Sequence, residues 1–271
     1  MNAAAFQTYI VRWYLLYGRH ELPWRQTSDP YAILVSELML QQTQVERVIP
    51  KFLAFLKRFP TVASLSKAEL SEVLIFWQGL GYNRRAKYLW ETARSVNLAG
   101  GQFPRTEKGL RALPGIGPYT ASAVAAFSYN LPVLMIETNI RTVFLYHFFP
   151  NQEQVTDKDI LLLIEASLDT ANPREWYWAL MDYGSHLKKI FPNPSRRSQQ
   201  YNKQSTFKGS SRQVRGEILR MLSTAKSMSQ LQIGQRLTSN KIYLLPALQS
   251  LVHDGLIHDR AGIYHLGKEH S

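Results

Sequence analysis

The chain has 271 residues, enough for one large domain or two smaller ones, and its apolar fraction of 45% is ordinary for a globular protein. It contains no cysteine, which excludes disulfides, thiolate catalysis and cysteine-ligated zinc or iron–sulfur sites, and fits a reducing cytoplasm. The net charge of +12 favours a polyanionic partner. No apolar run approaches the roughly 18–20 residues of a membrane span, so no membrane partner is expected.

The first two-thirds of the chain is predicted to be helical throughout. Its opening stretch, "MNAAAFQTYIVRWYLLYGRHELPW", is typical of an amphipathic helix and not of a signal peptide, because apolar positions recur every three to four residues. Ser28 and Asp29 are N-cap candidates for the next helix, which has Pro30 in its first turn. Further helical stretches follow without an alternating β pattern. This predicts an all-α domain over residues 1–190.

The last third differs in composition and charge. Residues 191–211, rich in Pro, Ser, Asn, Gln and basic residues, predict a basic linker. Residues 212–271 contain three short helical stretches and a β-hairpin that turns near Ala261–Gly262, the order of a winged helix. Residues 1–184 hold 18 basic and 16 acidic side chains, whereas residues 185–271 hold 14 and 4. This asymmetry favours a nucleic-acid partner over its alternative, a solubilising basic tail.

The stretch "LPGIGPYTA" at 113–121 carries the strongest local signal. Gly115 and Gly117 predict a tight hairpin before a helix that begins near Tyr119 and Thr120. Backbone N–H groups of such a hairpin and of the helix N-terminus can hold a phosphate without a charged side chain. The motif therefore predicts a sequence-independent grip on the DNA backbone. The alternative is an ordinary Gly/Pro turn between two helices.

From about residue 20 to residue 190 the chain contains "LPWR", "DPYAILVSELMLQQTQVERVIPKF", "FPTVASLSKAELSEVLIFWQGLGYNRRAKYL", "LPGIGPYTASAV" and "MDYGS". With an acid, Glu137, about 22 residues beyond the hairpin, these stretches resemble the adenine DNA glycosylase (MutY) family of the helix-hairpin-helix DNA glycosylase superfamily. The resemblance implies a mainly α fold of two helical subdomains, here followed by the winged-helix-like domain. It also implies a base excision repair enzyme that hydrolyses the N-glycosidic bond of a flipped, mispaired adenine opposite guanine or 8-oxoguanine.

The family's catalytic residues match four positions of this sequence. Glu37, in the otherwise apolar "VSELML", matches the general acid that protonates the base, and burial there would raise its pKa. Glu137 stands where the family has an aspartate facing the anomeric carbon; glutamate keeps the charge but adds about 1 Å of reach. Tyr129 matches a tyrosine that supports the sugar intermediate, and Asn139 an asparagine that orients the acid.

The resemblance also assigns residues that contact DNA. Gln41, Gln42 and Thr43 match a loop that wedges into the duplex, and Tyr82 matches an intercalating aromatic, with Arg84 beside it. Ordinary turn chemistry is the alternative for both loops. Bifunctional members carry a lysine where this chain has Tyr119, so the resemblance implies a monofunctional glycosylase without AP-lyase activity.

Two departures from the family stand in the C-terminal part. Relatives carry four cysteines that ligate an iron–sulfur cluster after "MDYG", and this chain has none. The family's domain for checking 8-oxoguanine is not recognisable either. We expect Lys188, Arg196 and Arg197 of the basic segment to contribute phosphate contacts instead, and the winged helix either to bind DNA or to pack against a partner. No catalytic metal site is expected, and the hairpin is the candidate position for a structural monovalent cation.

Three hypotheses therefore follow from the sequence. The first is a clusterless, monofunctional adenine glycosylase, monomeric and cytoplasmic (nucleoid-associated if bacterial), that acts on double-stranded DNA with a mismatch or lesion. The second is a glycosylase for another mispaired base: uracil, thymine or hypoxanthine. The third is a non-catalytic DNA-binding protein on the same scaffold, against which a retained Glu37 argues.

Overall fold

The computed structural model describes residues 2–203 and 206–268. It is mainly helical, which confirms the predicted fold class. The helices of the first 203 residues are, in chain order, α1 (Ala3–Tyr17), α2 (Pro30–Leu40), α3 (Val45–Arg58), α4 (Val62–Ser66), α5 (Leu70–Trp77), α6 (Arg84–Leu98), α7 (Glu107–Arg111), α8 (Pro118–Tyr129), α9 (Thr138–Phe148), α10 (Asp157–Ser167) and α11 (Pro173–Ile190). None of the helices α1 to α11, and none of those described after residue 205, is long and apolar enough to cross a membrane.

Local sequence explains where these helices begin. The carboxylate of Asp29 accepts hydrogen bonds from the backbone N–H groups of Tyr31 (3.2 Å) and Ala32 (3.3 Å), so Asp29 caps α2 as predicted. Thr61 and Thr156 begin α4 and α10 with reciprocal side chain–backbone bonds of the capping-box type. Capping side chains at these positions satisfy amide groups that the first turn of a helix leaves without a partner.

The C-terminal part contains three helices and a small sheet. The helices are α12 (Ser211–Ala225), α13 (Gln230–Arg236) and α14 (Leu244–His253), and the strands are β1 (Ser227–Ser229), β2 (Ile257–Arg260) and β3 (Ile263–Leu266). The strands form an antiparallel sheet in the order β1-β3-β2. The β2–β3 turn lies at Ala261 and Gly262 as predicted, with φ of 52° and 83°. Strand β1 was not predicted, because three residues are too short for a visible alternation.

Contacts between Cα atoms divide the described residues into two compact units. The first unit comprises residues 2–33, 104–112 and 116–203, and the second comprises residues 34–103, 113–115 and 206–268. The C-terminal elements thus share a unit with α3 to α6, and α12 packs against α5. The division into residues 1–190, 191–211 and 212–271 stays a prediction.

The first unit is built around α9 and α11, which pack closely together with α1 against them. Phe6 of α1 lies 5.3 Å from the ring of Phe144 and 5.9 Å from that of Trp176. Gly184 permits the close packing of α11 against α9, because a Cβ at this residue would stand 2.1 Å from the backbone oxygen of Asn139 at the start of α9. The start of α9 is therefore held against α11.

The second unit has a core of large side chains from α3, α5 and α6. Phe55, Phe59 and Trp77 are fully buried, and the ring of Phe55 lies 4.9 Å from Phe59 and 6.1 Å from Trp77. The C-terminal helices add their own buried stripe, including Ile218 and Leu222 of α12. This core supports the loops that follow α2 and α5.

Candidate active site

Glu37 lies in the part of α2 that belongs to the second unit. Its side chain is buried, with 5% of its surface exposed, and Val35, Leu38 and Met39 along the same helix are buried too. Burying a carboxyl group costs free energy unless its surroundings compensate, so a buried acid on an apolar helix is typical of a functional site. The burial of Glu37 expected from the sequence is present. The general-acid role remains a prediction.

Arg85 connects the end of α2 to the turn before α6. Its buried guanidinium donates hydrogen bonds to the backbone carbonyls of Leu38 (2.5 Å), Met39 (3.2 Å), Gln41 (2.6 Å), Leu80 (3.1 Å) and Gly81 (2.9 Å). Burial lowers the pKa of Arg85 to about 10, so the group is still charged at neutral pH. A cation here also complements the negative end of the α2 dipole. Arg84 was predicted from the sequence to contact DNA, whereas no role was predicted for Arg85.

A signal for Arg85 was present in the sequence. Arg85, Leu89 and Ala93 are spaced four apart, which places the arginine on the buried stripe of α6. Arginine is among the residues least often buried without partners, so a position on that stripe predicts a bonded, organising guanidinium. Its partners are the two loops assigned to DNA contact.

These two loops each contain a non-glycine residue with positive φ. Gln42, after α2, has φ of 55°, and Tyr82, after α5, has φ of 46°. The loops are joined directly as well, since the hydroxyl of Thr43 donates to the carbonyl of Leu80 at 3.2 Å. Backbone strain of this kind is typical of functional loops held by their surroundings. The structure therefore brings together the predicted contact residues Gln41, Gln42, Thr43 and Tyr82, and the Tyr82 side chain is exposed.

Arg84 and the first half of the hairpin meet at Tyr88. The Arg84 guanidinium donates to the Tyr88 hydroxyl at 2.5 Å and lies 3.6 Å from a carboxylate oxygen of Asp254. Gly115 has φ of 70°, and a Cβ at that residue would come within 2.2 Å of the Tyr88 ring. Glycine is thus required there for both backbone conformation and space.

The second half of the hairpin is unobstructed. Gly117 is the N-cap of α8 with φ of −81°, and a Cβ built on it would meet nothing within 4 Å. Tyr119 is half-buried and Thr120 is buried. A buried threonine side chain does not face a ligand, so the predicted DNA contact of Thr120 would have to come from its backbone N–H. Neither backbone conformation nor crowding within the protein requires glycine at Gly117. Glycine is also used where a ligand comes close to the backbone, and this explanation fits Gly117.

Glu137 is the N-cap of α9 in the first unit. One carboxylate oxygen accepts hydrogen bonds from the backbone N–H groups of Asn139 (2.6 Å) and Ile140 (2.8 Å), and the other lies 3.3 Å from the side-chain amide of Asn139. Aspartate, serine and threonine usually fill this position because of their shorter reach. The carboxylate is therefore both a helix cap and a fixed charge, and the structure places Asn139 beside it as expected.

The protonation of Glu137 is set by opposing effects. Burial raises its pKa, while the backbone bonds from Asn139 and Ile140 and the charges of Lys188 and Arg141 lower it, and the net direction is upward. Lys188 is half-buried, and burial lowers its own pKa while Glu137 raises it. The charge of Lys188 thus lowers the pKa of Glu137. This interaction was not predicted from the sequence, which suggested only a phosphate contact for Lys188.

Tyr177 holds the segment that leads to Glu137. Its fully buried hydroxyl donates to the carbonyl of Val133 at 2.7 Å and accepts from the N–H of Met135 at 3.3 Å. The residue was missed in the sequence analysis, because a tyrosine on an amphipathic helix is usually ordinary core. Tyr129 ends α8 with its ring 5.8 Å from the Arg105 guanidinium, and burial raises its pKa.

The segment after α11 is organised by hydrogen bonds. The Ser195 hydroxyl lies 2.6 Å from that of Thr142, and Arg197 donates to the carbonyls of Leu145 (2.7 Å) and Pro150. Arg196 is exposed on the same 3₁₀ turn, Pro194–Arg197. The first part of the predicted linker is therefore tied to α9, and the Arg197 side chain is engaged within the protein.

The residues present do not fit an iron–sulfur cluster. The chain has no cysteine, so no thiolate is available where the resemblance implies four ligands. Nor do the described residues contain a group of three or more His, Asp or Glu side chains that could hold a metal ion. In the described residues, hydrogen bonds to α9 hold the start of the segment after α11.

Comparisons with known proteins agree with this architecture. Residues 35–166 match the family described as HhH-GPD superfamily base excision DNA repair protein. The chain is 35% identical to the adenine DNA glycosylase of Mycolicibacterium smegmatis over 278 residues, covering 93% of this chain and 92% of that protein. It is 36% identical over 190 residues to the adenine DNA glycosylase of Buchnera aphidicola subsp. Baizongia pistaciae, which covers 68% of this chain.

The relatives differ in length. The chain spans about half of the Buchnera relative (53%), whereas the mycolicibacterial match takes in most of the C-terminal part as well. Among solved structures, a thermostable thymine-DNA glycosylase superposes with a TM-score of 0.60 at 28% identity, over 68% of this chain and 86% of that one. The fold, the hairpin and the near full-length match confirm the resemblance: the chain belongs to the adenine DNA glycosylase family of the HhH-GPD superfamily.

Proposed function

We propose that the protein is a monofunctional DNA glycosylase of base excision repair that hydrolyses the N-glycosidic bond of a flipped, mispaired adenine opposite guanine or 8-oxoguanine. The observation that carries the proposal is Glu37: a carboxyl group buried on an apolar helix, inside the family's "SELMLQQTQV" block. A carboxyl group in such surroundings is suited to donate a proton to the departing base. Membership of the adenine DNA glycosylase family supports the choice of base.

In this proposal the two acids have different roles. Glu37 protonates the base, and Glu137, whose carboxylate is fixed at the N-terminus of α9, stabilises the positive charge that develops on the deoxyribose. Glu137 is oriented by Asn139 and by the preceding segment, which Tyr177 holds through hydrogen bonds to its backbone. Tyr129 supports the sugar from the end of α8.

We further propose that the product is an intact abasic site. A Schiff base needs an amine, and Tyr119 occupies the position of the lysine that forms it in bifunctional members of the superfamily. Treatment with borohydride during the reaction should therefore trap no covalent enzyme–DNA adduct. A trapped adduct would overturn the assignment.

The DNA is held, in this proposal, by the hairpin at Gly115–Gly117, the loops at 41–43 and 82, and basic residues including Arg84, Lys188 and Arg196. The protein acts as a monomer on double-stranded DNA, in the cytoplasm or at the nucleoid of a bacterium. It works without an iron–sulfur cluster, since no cysteine is present to ligate one. A monovalent cation at the hairpin is part of the proposal as well.

A second candidate is excision of mispaired thymine. The observation that favours it is the similarity to a thermostable thymine-DNA glycosylase, together with the glutamate at position 137 in place of the family's aspartate. A change of the sugar-facing acid alters the geometry around the reacting bond, and a different base would suit a different geometry.

One panel of duplexes tests both candidates. Duplexes with adenine, uracil, thymine or hypoxanthine opposite guanine, 8-oxoguanine, cytosine or thymine are incubated with the full chain, and abasic products are revealed by heat and alkali. Excision of adenine opposite guanine or 8-oxoguanine supports the first candidate, and preferential excision of thymine supports the second. If the wild-type protein, whose binding to each duplex is checked in parallel, cleaves none of them, the enzyme assignment is wrong. The matched control is Glu37→Gln, which should bind DNA but excise nothing.

A further inference from the structure

The C-terminal helix α12 is fixed to α6 by a group of charges around Asp254. The Asp254 carboxylate accepts from the Arg215 guanidinium of α12 at 2.6 Å and lies 3.6 Å from that of Arg84. Its backbone carbonyl accepts from the ammonium of Lys87 at 2.7 Å. The Asp254 side chain is 8% exposed, which shields these interactions from solvent and salt. Helix α12 is therefore held in a defined place beside the start of α6.

Arg212 lies three residues before Arg215, on the same face of the first turn of α12. Its guanidinium donates a 2.6 Å hydrogen bond to the hydroxyl of Tyr82, and its central carbon lies 5.6 Å from the Tyr82 ring centroid. The buried guanidinium of Arg85 lies 5.5 Å from the same ring. The tyrosine is thus restrained at its hydroxyl end by Arg212 and near its ring by Arg85.

Tyr82 needs such restraint to act as a wedge. It is 38% exposed and stands in a strained, left-handed conformation between Gly81 and Asn83, so packing alone does not enclose its ring. A side chain that fills the space left by an extruded base must be aligned with the base stack before the base leaves, because the entropy of ordering it otherwise adds to the barrier. A bond to the hydroxyl end fixes the direction of the side chain, 38% of whose surface stays exposed.

We propose that Arg212, supplied by helix α12, is a positioning residue for the wedge tyrosine Tyr82. This assigns α12 a part in base extrusion, through a contact with a residue 130 positions away in the chain. The inference rests on the proposed function of the protein. Arg212 acts through Tyr82 and not primarily as a phosphate contact.

The test is a double-mutant cycle between Arg212→Gln and Tyr82→Phe in the full chain. Tyr82→Phe keeps the ring but removes the hydroxyl to which Arg212 donates. Base extrusion is followed by the stopped-flow fluorescence of 2-aminopurine placed next to the mispair, and excision by single-turnover kinetics. DNA affinity is measured separately as a function of salt. Arg220→Gln is the matched control, because Arg220 is an exposed cation of the same helix and its removal deletes the same charge.

We expect Arg212→Gln and Tyr82→Phe each to slow extrusion and excision about tenfold, and the double variant to be no slower than either single variant. Arg212→Lys should recover part of the rate, since lysine can still donate to the hydroxyl. Arg220→Gln should weaken binding and reduce its salt dependence without slowing extrusion. Additive effects of the two substitutions, or equal effects of Arg212→Gln and Arg220→Gln, would overturn the proposal.

The 2-aminopurine signal separates this proposal from the enzyme assignment. If no duplex of the panel is cleaved, the proposed activity is wrong, but the extrusion signal and its coupling between Arg212 and Tyr82 can still be measured with bound DNA. If excision occurs and the coupling is absent, the enzyme assignment stands and the positioning role is wrong.

Discussion

At the scale of single residues, Glu137 is a helix cap for which the sequence also predicts a catalytic charge. An acid at the end of an apolar run is either a helix cap or a charge placed for chemistry. The structure makes it the N-cap of α9, and the same bonds that satisfy the helix also fix the direction of the carboxylate. Burial also raises the pKa of this carboxyl group, so its surroundings influence its protonation.

Shortening Glu137 should therefore preserve folding and lower activity. Aspartate is a better N-cap than glutamate, so the free energy of unfolding of Glu137→Asp should stay close to that of the wild type. The carboxylate would retreat by about 1 Å, a misplacement that can cost about 10²-fold in rate. Urea unfolding and single-turnover excision measure the two effects. A variant as fast as wild type or faster would mean that the glutamate is not matched to its surroundings.

The pH dependence of excision should report the ionisation of Glu137. The ionised form stabilises positive charge, so the rate should fall as pH falls through the raised pKa, above the ordinary glutamate value of about 4.3. Lys188→Met removes a charge that lowers this pKa, so the acid limb of the profile should move to higher pH. Lys189→Met, which removes an exposed charge next in sequence, is the control. Identical profiles for all three proteins would exclude Glu137 as the titrating group.

At the scale of elements, the hairpin contains two glycines with different local surroundings. The local structure requires glycine at Gly115 but not at Gly117. Gly115 has positive φ and a ring against its α-carbon, whereas Gly117 has an ordinary φ and open space around it. Two residues of the same motif thus have different reasons to be glycine. Their substitution should separate stability from binding.

Gly115→Ala should lower the free energy of unfolding by about 1–3 kcal/mol, because the new methyl group meets Tyr88 and strains the backbone. Gly117→Ala should leave stability unchanged or raise it by up to about 1 kcal/mol. It should nevertheless weaken binding to a DNA duplex about tenfold, since the methyl group would keep a phosphate from the backbone N–H groups. Urea unfolding and fluorescence anisotropy are the measurements. Unchanged affinity of Gly117→Ala would rule out phosphate contact at this residue.

The contact of α9 with α11 is the second element-scale feature. A Cβ at Gly184 would lie 2.1 Å from a backbone oxygen, which cannot move aside as a flexible side chain can. Gly184→Ala should destabilise the protein by about 1–3 kcal/mol and slow excision, because it pushes the start of α9 and hence Glu137. The control is Gly216→Ala in α12, where a Cβ meets nothing within 4 Å and should stabilise by about 0.5–1 kcal/mol. Both are read by urea unfolding, and similar values for the two would contradict close packing at Gly184.

At the scale of the whole molecule, resistance to acid should depend on a buried charge in the first unit. Asp182 accepts from both Arg19 (2.8 Å) and Arg25 (2.7 Å) and is 3% exposed. Burial raises its pKa, but the bonds and charges of Arg25 and Arg19 lower it further, and the net direction is downward. The group therefore stabilises the fold above the ordinary aspartate value of about 3.9, and this contribution is lost as pH falls through the lowered pKa.

Asp182→Asn should cost about 3–5 kcal/mol at neutral pH, because it leaves two guanidinium groups without their carboxylate. Its free energy of unfolding should also lack the part of the decline that the wild type shows in acid. Glu165→Gln, at an exposed position of α10, should change stability by less than about 0.5 kcal/mol. Urea unfolding across the acid range tests the three proteins together. Parallel curves for wild type and Asp182→Asn would contradict the assignment.

The sequence by itself determined the helical class, the hairpin, the β2–β3 turn and the family. Each depends on residues close together in the chain: apolar spacing, capping side chains, glycines and contiguous motifs. The tertiary structure alone decided that Arg85 ties the carbonyls after Glu37 to the Tyr82 turn, that Gly184 receives the backbone of Asn139, and that Arg212 meets Tyr82. These pairs lie tens of residues or more apart, and no local periodicity encodes which distant group a buried cation or a missing side chain will meet.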